Sequence, residues 1–545
     1  MSRFVRPSKY RHVFGQPAKK ENSIENVKVT TSAWDTNLIS ASGSYLSLNW
    51  ASSGGGAFAI LPLPSPFGPI PFGIPYKLPD IIPLARGHTA PVLDTDWSPF
   101  QDNVVASGGE DGKILVYKVE SREFEGWGGD KWQPVDFEPV ARIAGSARKI
   151  GQVQFHPTAA HVLAATSGDY IVKLWDLGSP EEPRSTLTGH QDTIQGLAFN
   201  TTGTLLATTC RDRKIRLFDP RVGGEAVRIT DGHSGIKGSR IVWMGDKDRL
   251  ATTGFSKMSD RQLSIWEPGS LNNVTTTIID QSAGVVMPFW SDNGVIFLAG
   301  KGDGNIRFYE YESDALHPLS EHKSSDPQRG MCFLPRRALS VSECEIARAY
   351  KVTGSIIEPI AFIVPRKSDT FQSDIFPPAA SDEPALTAAQ FFSGKTAQPK
   401  LVDLNSGEIT SSSAAVATTP SPFSAPTQSI PNPPTRTYTA LAPVSVPAPE
   451  PSPLTQGRFV DAAPSPVVAT SVYPTSFSLH PPAPIPRDEP SPVRTSGDDT
   501  HLAENAQLRT DLREAKAQIR NLELQVETLK ANAARAAKTL QFGLE

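Results

Sequence analysis

Residues 189–218 read GHQDTIQGLAFNTTGTLLATTCRDRKIRLF, and this stretch decides the fold. A Gly-His pair opens it, and three short runs of apolar and β-branched residues follow. An aspartate, Asp212, stands six residues before the closing aromatic, Phe218. Short runs of this composition, bounded by turn residues, are typical of β-strands. The stretch therefore predicts several short strands joined by tight turns.

The same pattern recurs on both sides of this stretch. Five strand-like segments end in an aromatic, at Tyr117, Trp175, Phe218, Trp266 and Tyr309, with spacings of 58, 43, 48 and 43 residues. An aspartate lies six residues before each of them, at Asp111, Asp169, Asp212, Asp260 and Asp303. Gly-His pairs supply His88, His190 and His233. A period of about 40–45 residues with these landmarks is the WD-repeat signature, in which four strands form each blade of a β-propeller.

Two less regular units complete the predicted ring. Residues 27–63 contain VKVTTSAW, YLSLNW and GAFAILPL, and residues 330–366 contain MCFLP, EIARAYKV and PIAFIVP. With the five clear repeats they predict seven blades. Because a propeller must close its ring to hide its sheet edges, Tyr10–Phe14 is predicted to add a closing strand to the last blade. The predicted fold is an all-β, seven-bladed WD-repeat β-propeller over residues 1–367.

Three further segments follow the propeller. Residues 368–404 carry apolar anchors and are predicted to be a C-terminal extension packed on the propeller. Residues 405–499 are rich in Pro, Ser, Thr and Ala and are predicted to be a disordered linker. Residues 500–542 lack Pro and Gly between Thr500 and Phe542 and show heptad spacing, which predicts an α-helical coiled coil. Its predicted oligomerisation residues are Leu508, Leu512, Ile519, Leu522, Val526 and Leu529.

Composition excludes several classes of protein. The chain has 545 residues, a net charge of -4 and a pI near 6.2, which argues against a dedicated nucleic-acid binder. Three cysteines without metal-site spacing indicate a reducing compartment. The basic N-terminus is followed by no apolar run, so we expect no secretory signal. The uncharged stretch Ala57–Tyr76 contains six prolines and is predicted to be a surface loop, not a membrane span.

The repeat histidines and aspartates have a structural explanation and need no catalytic one. Each falls at a repeat position, where histidine can donate a hydrogen bond to aspartate beside the strand aromatic. The segment GKGDGN at Gly300–Asn305 lacks the full spacing of a phosphate-binding loop and precedes a strand rather than a helix. We therefore expect no enzyme, no cofactor and no metal site.

The chain resembles the coronins over residues 1 to about 402. The resemblance rests on the opening FVRPSKYRHVFGQ and on SGGGAF, GHTAPVLDTDW, TTGFSKMSDRQLSIW, GKGDGNIRFYE, PQRGM, CEIARAYKV, IVPRKSDTFQSDIFPP and PALTAAQFFSGK. The order of propeller, extension, variable linker and short coiled coil is also similar. Two features depart from the animal members. The loop Pro64–Arg86 is longer and richer in proline, and the coil lacks their Arg-x-x-x-x-Glu trimer motif.

The resemblance implies a function. Coronins bind filamentous actin, modulate the branching complex of actin-related proteins, and form dimers or trimers through the coil. In coronins a basic residue just before the first-blade strand contributes to filament binding, and Lys28 is the matching residue here. Lys19 and Lys20 are secondary candidates in the same basic segment. The resemblance also implies a location in the cytoplasm, at the cortical actin cytoskeleton.

Some questions stay open at the level of sequence. Ile519 and Val526 at a positions, with Leu522 and Leu529 at d positions, favour two strands over three. The linker motif Pro431-x-x-Pro434-x-Arg436 has the form of a ligand for Src-homology adaptor domains. The alternative function is a propeller scaffold for microtubule or vesicle-traffic complexes, which filament co-sedimentation would distinguish from an actin-binding protein.

Overall fold

The structure, a computed structural model, describes residues 6–32, 35–53, 55–127, 129, 132–367 and 370–410. The predicted coiled coil and adaptor motif, and all of the predicted linker after residue 410, lie outside these residues. Within them, no helix is both long enough and apolar enough to cross a membrane.

The described chain is built almost entirely of short antiparallel strands. Two of them precede the blades, β1 (Phe14–Pro17) and β2 (Ile24–Glu25). Blades 1 to 3 contain β3 (Ile39–Ala41), β4 (Tyr45–Trp50), β5 (Gly56–Pro62) and β6 (Leu84–His88); β7 (Val92–Trp97), β8 (Val104–Gly109), β9 (Lys113–Lys118) and β10 (Pro139–Ala144); β11 (Ile150–Phe155), β12 (Val162–Ser167), β13 (Val172–Asp176) and β14 (Ser185–Leu187). Blades 4 to 7 contain β15 (Ile194–Phe199), β16 (Leu206–Cys210), β17 (Lys214–Phe218) and β18 (Arg228–Asp231); β19 (Arg240–Trp243), β20 (Leu250–Phe255), β21 (Arg261–Glu267) and β22 (Asn272–Asp280); β23 (Val286–Ser291), β24 (Val295–Gly300), β25 (Ile306–Glu312) and β26 (Ala315–His322); β27 (Gly330–Phe333), β28 (Glu345–Val352) and β29 (Ile356–Ile363).

Each of blades 1 to 6 is a four-stranded meander, in which consecutive strands pair in sequence order. The first strand of each blade lies at the inside of the ring: β3 contacts β7, β7 contacts β11, and so on to β23, while β27 contacts β3. The second and third strands are mostly buried on both faces, as in β5 and β12, because neighbouring blades cover them. The sequence prediction of a seven-bladed, all-β propeller is confirmed over the described residues.

Blade 7 is completed by the N-terminal strand β1. It pairs antiparallel with β29, with Phe14 opposite Ile363 and Pro17 opposite Ile360. The predicted closing strand was Tyr10–Phe14, so the strand begins about four residues later than predicted. The reason is local: residues 9–12 form a turn, in which the Val13 N–H donates to the Tyr10 carbonyl at 3.0 Å. The side chains of Tyr10 and Val13 are buried instead in the apolar cluster of blades 6 and 7.

The first blade also differs in detail from the sequence prediction. The prediction placed its first strand within Val27–Trp34, but the inner strand is β3, and residues 33–34 lie outside the described chain. The stretch Ala57–Tyr76 is not a loop throughout, because Gly56–Pro62 forms the buried strand β5. Only the residues after Pro62 form the proline-rich loop, which returns to β6.

The extension crosses from one side of the ring to the other. Ile375 and Phe376 are buried in the cluster shared by blades 6 and 7. Farther along, the helix α1 (Ala388–Phe392) buries Phe391 against blades 3 and 4. Three short strands form a small sheet here: β30 (Ala379–Ala380), β31 (Leu401–Val402) and β32 (Ile409–Thr410). Single 3-10 turns lie at Lys20–Asn22, Pro71–Gly73, Ser121–Phe124, Gly245–Lys247, Arg336–Ala338 and Val341–Glu343.

Candidate functional site

Lys28 lies on the surface between blades 1 and 7. Its backbone carbonyl accepts from Ala51, and the neighbouring Val27 N–H donates to the Ser355 carbonyl in the last blade. The side chain is exposed, and its Nζ donates to the backbone carbonyl of Asp80 at 2.8 Å. This contact orients the ammonium group, which has two further N–H donors that no hydrogen bond within the described residues uses.

The proline-rich loop lies directly beside this lysine. The Asn26 side chain donates to the carbonyl of Leu78 at 2.8 Å and to the carboxylate of Asp80 at 3.1 Å. Glu25 and Lys77 pair as a parallel bridge, and the Leu78 N–H donates to the Glu25 carbonyl at 3.0 Å. The loop is therefore fixed against the segment that carries Lys28.

The loop also exposes large apolar side chains. The exposed fractions are 48% for Phe72, 43% for Tyr76 and 71% for Ile81. Phe72 has a positive φ of 61° and stacks on Phe124 at a ring-centroid distance of 5.8 Å. We call the set of residues Lys19, Lys20, Lys28, Phe72, Tyr76, Lys77 and Ile81 the Lys28 surface.

Lys19 and Lys20 are exposed, next to the turn that follows β1. Asn22, two residues on, donates its side-chain amide to the Pro66 carbonyl at 3.2 Å, so this turn also touches the loop. The structure thus places all three predicted actin-binding lysines along one segment that borders the loop. Sequence reasoning missed Lys77 and the loop aromatics, because about fifty residues separate them from Lys28 and only the pairing with Glu25 brings them together.

The most N-terminal basic residues have structural contacts instead. Arg6 forms ion pairs with both Glu310 and Glu312 of β25. Lys9 donates to the carbonyl of Asp374 in the extension, and Arg11 donates to the carbonyl of Arg6. These contacts fasten the N-terminal segment to blade 6 and the extension.

The repeat histidines connect neighbouring blades. His88 ends β6 in blade 1, yet its Nδ1 lies 2.9 Å from Asp111 and its Nε2 lies 2.8 Å from Ser107, both in blade 2. The Thr89 N–H also donates to Asp111. Burial alone would raise the pKa of Asp111, but the hydrogen bonds from His88 and Thr89 outweigh it and hold the pKa at about 2. The sequence repeat is therefore offset by one strand from the structural blade.

In the other repeats, the histidine and the aspartate form hydrogen bonds with different partners. His190 bonds Thr208 at 2.9 Å, and His233 bonds Thr252 at 2.9 Å, each in the following blade. Their aspartates have other partners than the histidine. The carboxylates bond as follows: Asp169 to Ser146 and Ser167, Asp212 to Arg216, Asp260 to Ser256, and Asp303 to Arg261. Direct contact between the repeat histidine and aspartate thus occurs in one repeat of the described chain, that of His88 and Asp111.

The contacts described above give the repeat histidines and aspartates a structural role, in holding neighbouring blades together. Burial lowers the pKa of His190 to about 4 and also lowers the pKa of His233, so both rings stay neutral near pH 7. In the part of the chain that the structure describes, no group of three or more His, Cys, Asp or Glu side chains is arranged to hold a metal ion.

Comparison with known proteins agrees with this architecture. The family model "WD domain, G-beta repeat" matches residues 82–118, 137–176 and 181–219, "Type of WD40 repeat" matches 357–399, and "Domain of unknown function (DUF1899)" matches 3–67. The crystal structure of the WD40 domain from Toxoplasma gondii coronin is similar with a TM-score of 0.65 and 26% identity, covering 72% of this chain and 97% of that one.

Two relatives are similar over about three quarters of this chain. The coronin-like protein crn1 of Schizosaccharomyces pombe is 51% identical over 428 residues, which cover 77% of this chain and 68% of the relative. Coronin-A of Dictyostelium discoideum is 43% identical over 418 residues, covering 76% of this chain and 89% of the relative. With this identity, this coverage and a closed WD-repeat propeller, the chain belongs to the coronin family.

Proposed function

We propose that this coronin binds actin filaments through the Lys28 surface and organises them as an oligomer. The observation that carries the proposal is the exposed Lys28 ammonium group, held by Asp80 at the border of a loop with exposed aromatic side chains. Aromatic side chains such as that of Tyr76, which is exposed here, are enriched at the energetic centres of protein interfaces. Family membership supports actin as the partner.

The charge of this surface is modest. The four lysines Lys19, Lys20, Lys28 and Lys77 stand in the same segments as three acidic residues, Glu21, Glu25 and Asp80, which leaves a net charge of about +1. Electrostatic steering towards an acidic filament is therefore weak, and apolar contacts of the loop are needed for affinity. This balance predicts that binding falls with added salt, but less steeply than for a strongly basic site.

Filament co-sedimentation tests the proposal. The chain ending at Thr410, which keeps every described residue, is compared with its Lys28→Glu and Tyr76→Ser variants at two salt concentrations. Reversing the charge of an exposed lysine replaces its attraction to an acidic filament with repulsion. We expect Lys28→Glu to weaken binding by roughly tenfold, and Tyr76→Ser to weaken it with little change in salt dependence.

Lys257→Glu is the matched control. Lys257 is an exposed lysine in the turn between β20 and β21 of blade 5, far along the ring from Lys28. Its charge reversal is expected to leave co-sedimentation unchanged. If Lys28→Glu and Lys257→Glu co-sediment with filaments equally well, Lys28 is not part of the filament site. If the unmodified chain does not sediment with actin at all but does so with microtubules, the scaffold alternative replaces the proposal.

Two finer parts of the proposal concern the whole chain. Cross-linking requires the predicted coil at 500–542, and modulation of the actin-related-protein branching complex follows from the resemblance to coronins. The protein would then be found at the cortical actin of the cytoplasm, and would act by binding rather than by catalysis. Co-localisation of the tagged full chain with cortical actin, lost on Lys28→Glu, is the expected cellular result.

A further inference from the structure

Two neighbouring loops at one end of the ring each expose a large apolar side chain. Ile236, in the loop between β18 and β19, is 82% exposed, and Met258, in the turn between β20 and β21, is 83% exposed. Each stands directly beside an exposed lysine, Lys237 or Lys257. Single exposed apolar side chains are ordinary on a protein surface, but here two adjacent loops repeat the same pairing of an apolar side chain with a cation.

The loop that carries Ile236 is fixed against blade 5. The Gly235 N–H donates to the Phe255 carbonyl at 2.7 Å, at the end of β20. A Cβ added at Gly235 would come within 2.6 Å of the Phe255 Cβ, so the two segments are in direct contact. The Lys237 ammonium group lies 4.8 Å from the centroid of the Phe255 ring. The loop of Ile236 therefore lies against the strand that leads into the turn of Met258.

The turn that carries Met258 is closed by hydrogen bonds within it. The Ser256 N–H donates to the Asp260 carbonyl at 2.8 Å, and the Ser259 N–H donates to the Ser256 carbonyl at 3.0 Å. The Ser256 hydroxyl donates to the Asp260 carboxylate at 2.8 Å and accepts from the Met258 N–H at 3.1 Å. Because these bonds use the polar groups inside the turn, Lys257 and Met258 are left to project into solvent.

The neighbouring turn of blade 4 adds two arginines. Arg211 and Arg213 lie between β16 and β17, are exposed, and form no ion pair with a described residue. Arg211 and Ile236 both line a cavity of about 370 Å³ between blades 3, 4 and 5, and Arg213 and Lys237 line a smaller one beside it. We call the set of residues Arg211, Arg213, Ile236, Lys237, Lys257 and Met258 the Met258 surface.

The Met258 surface keeps a positive charge when its acidic neighbours are counted. The carboxylates in these and the adjoining loops are those of Asp192, Asp212, Asp231 and Asp260. Asp212 pairs with the buried Arg216 at 2.6 Å, and Asp231 pairs with Lys214 at 2.6 Å. With these two partners included, six cations stand against four carboxylates, which leaves a net charge of about +2.

We propose that the Met258 surface binds an anionic lipid membrane, with Ile236 and Met258 entering the bilayer interface and the cations facing lipid phosphates. Apolar side chains lodge at the boundary between headgroups and acyl chains, and adjacent cations are attracted to anionic headgroups. A protein partner would need a pocket for each projecting side chain, whereas a bilayer accepts them anywhere on its surface. The loops belong to blades 4 and 5, across the ring from the Lys28 surface between blades 1 and 7, so the proposal does not depend on filament binding.

Vesicle flotation of the full chain tests the proposal. The probes are phosphatidylcholine vesicles with and without phosphatidylserine, and we expect binding only when phosphatidylserine is present. The double variant Lys237→Glu/Lys257→Glu should bind more than about tenfold more weakly, because each basic residue near an anionic surface contributes about fivefold. The double variant Ile236→Ser/Met258→Ser should bind roughly tenfold more weakly and keep its salt dependence. All four residues are exposed, so both variants are expected to fold.

Two substitutions at the other end of the same blades serve as controls. Lys247 precedes β20, whereas Met258 follows it, and Val222 lies in the turn after β17 and is 81% exposed. Lys247→Glu and Val222→Ser are expected to bind the vesicles normally. Lys28→Glu should also bind them normally, which separates this surface from the filament site. Equal binding by Lys237→Glu/Lys257→Glu and the unmodified chain would overturn the proposal.

A fluorescent label measures insertion directly. The three cysteines of the chain, Cys210, Cys332 and Cys344, are buried, so Met258→Cys supplies one accessible thiol among the described residues. An environment-sensitive dye on it should shift its emission to shorter wavelength with phosphatidylserine vesicles, and the same dye on Val222→Cys should not. Three results would overturn the proposal: vesicle binding without a shift at residue 258, equal binding to plain phosphatidylcholine, or no binding to either vesicle, as expected if the surface serves an acidic protein instead.

Discussion

His156 shows at the scale of one residue how the extension and the ring stabilise each other. Its Nδ1 accepts from the Ala159 N–H at 2.9 Å, and its Nε2 lies 3.2 Å from the Gly203 carbonyl. These partners require the neutral ring with its proton on Nε2. Phe391 of α1 covers the ring at a centroid distance of 4.2 Å. Gly203 has a φ of 72°, and an added Cβ would come within 1.9 Å of the imidazole, so only glycine fits there.

This arrangement predicts a pH effect on stability. Burial lowers the pKa of His156 to about 3, against about 6.5 in the unfolded chain. The stabilisation is complete above pH 6.5 and is lost as the pH falls towards 3, because the unfolded state then binds the extra proton. Asp94 and Asp96 change the stability in the opposite direction. Burial raises the pKa of each to about 7, so their contribution to stability is lost as the pH rises through 7.

The contribution of His156 is isolated by comparison with His156→Gln. Urea denaturation of both proteins between pH 7.5 and pH 5 should show the variant less stable at high pH. The difference in free energy of unfolding should shrink below pH 6.5 by up to about 1.4 kcal/mol per pH unit. A difference that stays constant over this range would show that His156 is protonated as easily in the folded protein as in the unfolded one.

At the scale of an element, β1 is the strand that closes the ring. It covers the outer edge of β29 and contacts β26 of the preceding blade. His322 of β26 lies against Gly15, where an added Cβ would come within 2.8 Å of the imidazole. Any larger residue at this position would push β1 away from blade 6. The strand thus joins blade 7 to blade 6 as well as covering an edge.

Removal of residues 1–17 is expected to cause aggregation. The deletion exposes the backbone edge of β29 and removes the buried side chains of Tyr10 and Val13. The matched control removes residues 1–5 only, and keeps both β1 and the ion pairs of Arg6. Size-exclusion chromatography and thermal melting compare the two. A soluble protein without residues 1–17 that melts cooperatively would contradict this closing role.

At the scale of the whole molecule, the blades depend on one another. The histidines of blades 1, 3 and 4 bond to the following blade, and Phe297, Phe333 and Phe362 form one aromatic cluster across blades 6 and 7. A ring of this kind gains its full set of contacts only when every blade is present. The predicted segment boundaries at residues 367, 404 and 499 stay predictions. The separate roles of the segments between them also stay predictions.

Self-association is predicted to come from residues 500–542, which lie outside the described residues. An apolar heptad seam is unstable as a single helix in water, so the full chain should be a dimer or trimer. Light scattering should give one chain for the protein ending at Thr410. Lys28→Glu should then impair filament binding less in the full chain, because several linked sites bind together. A monomeric full chain at tens of micromolar would contradict the coiled-coil prediction.

The sequence by itself determined the blade count, the all-β class and the family. The aromatic, aspartate and histidine landmarks recur at fixed spacing because each repeat must form the same strands and turns, and periodicity of that kind is visible without a structure. Lys28 could be named as a candidate because it stands at a recognisable place in a motif.

Only the tertiary structure decided what those residues touch. The offset of the histidines into the next blade, the loop beside Lys28, and the pairing of Arg6 with Glu310 and Glu312 all join residues that are distant in sequence. A cavity lined by Lys149, Arg211 and Arg240 could not be found from the chain, because the three residues come from different blades. The packing of the consecutive blades 3, 4 and 5 brings these residues together, and their spacing in the sequence carries no record of that geometry.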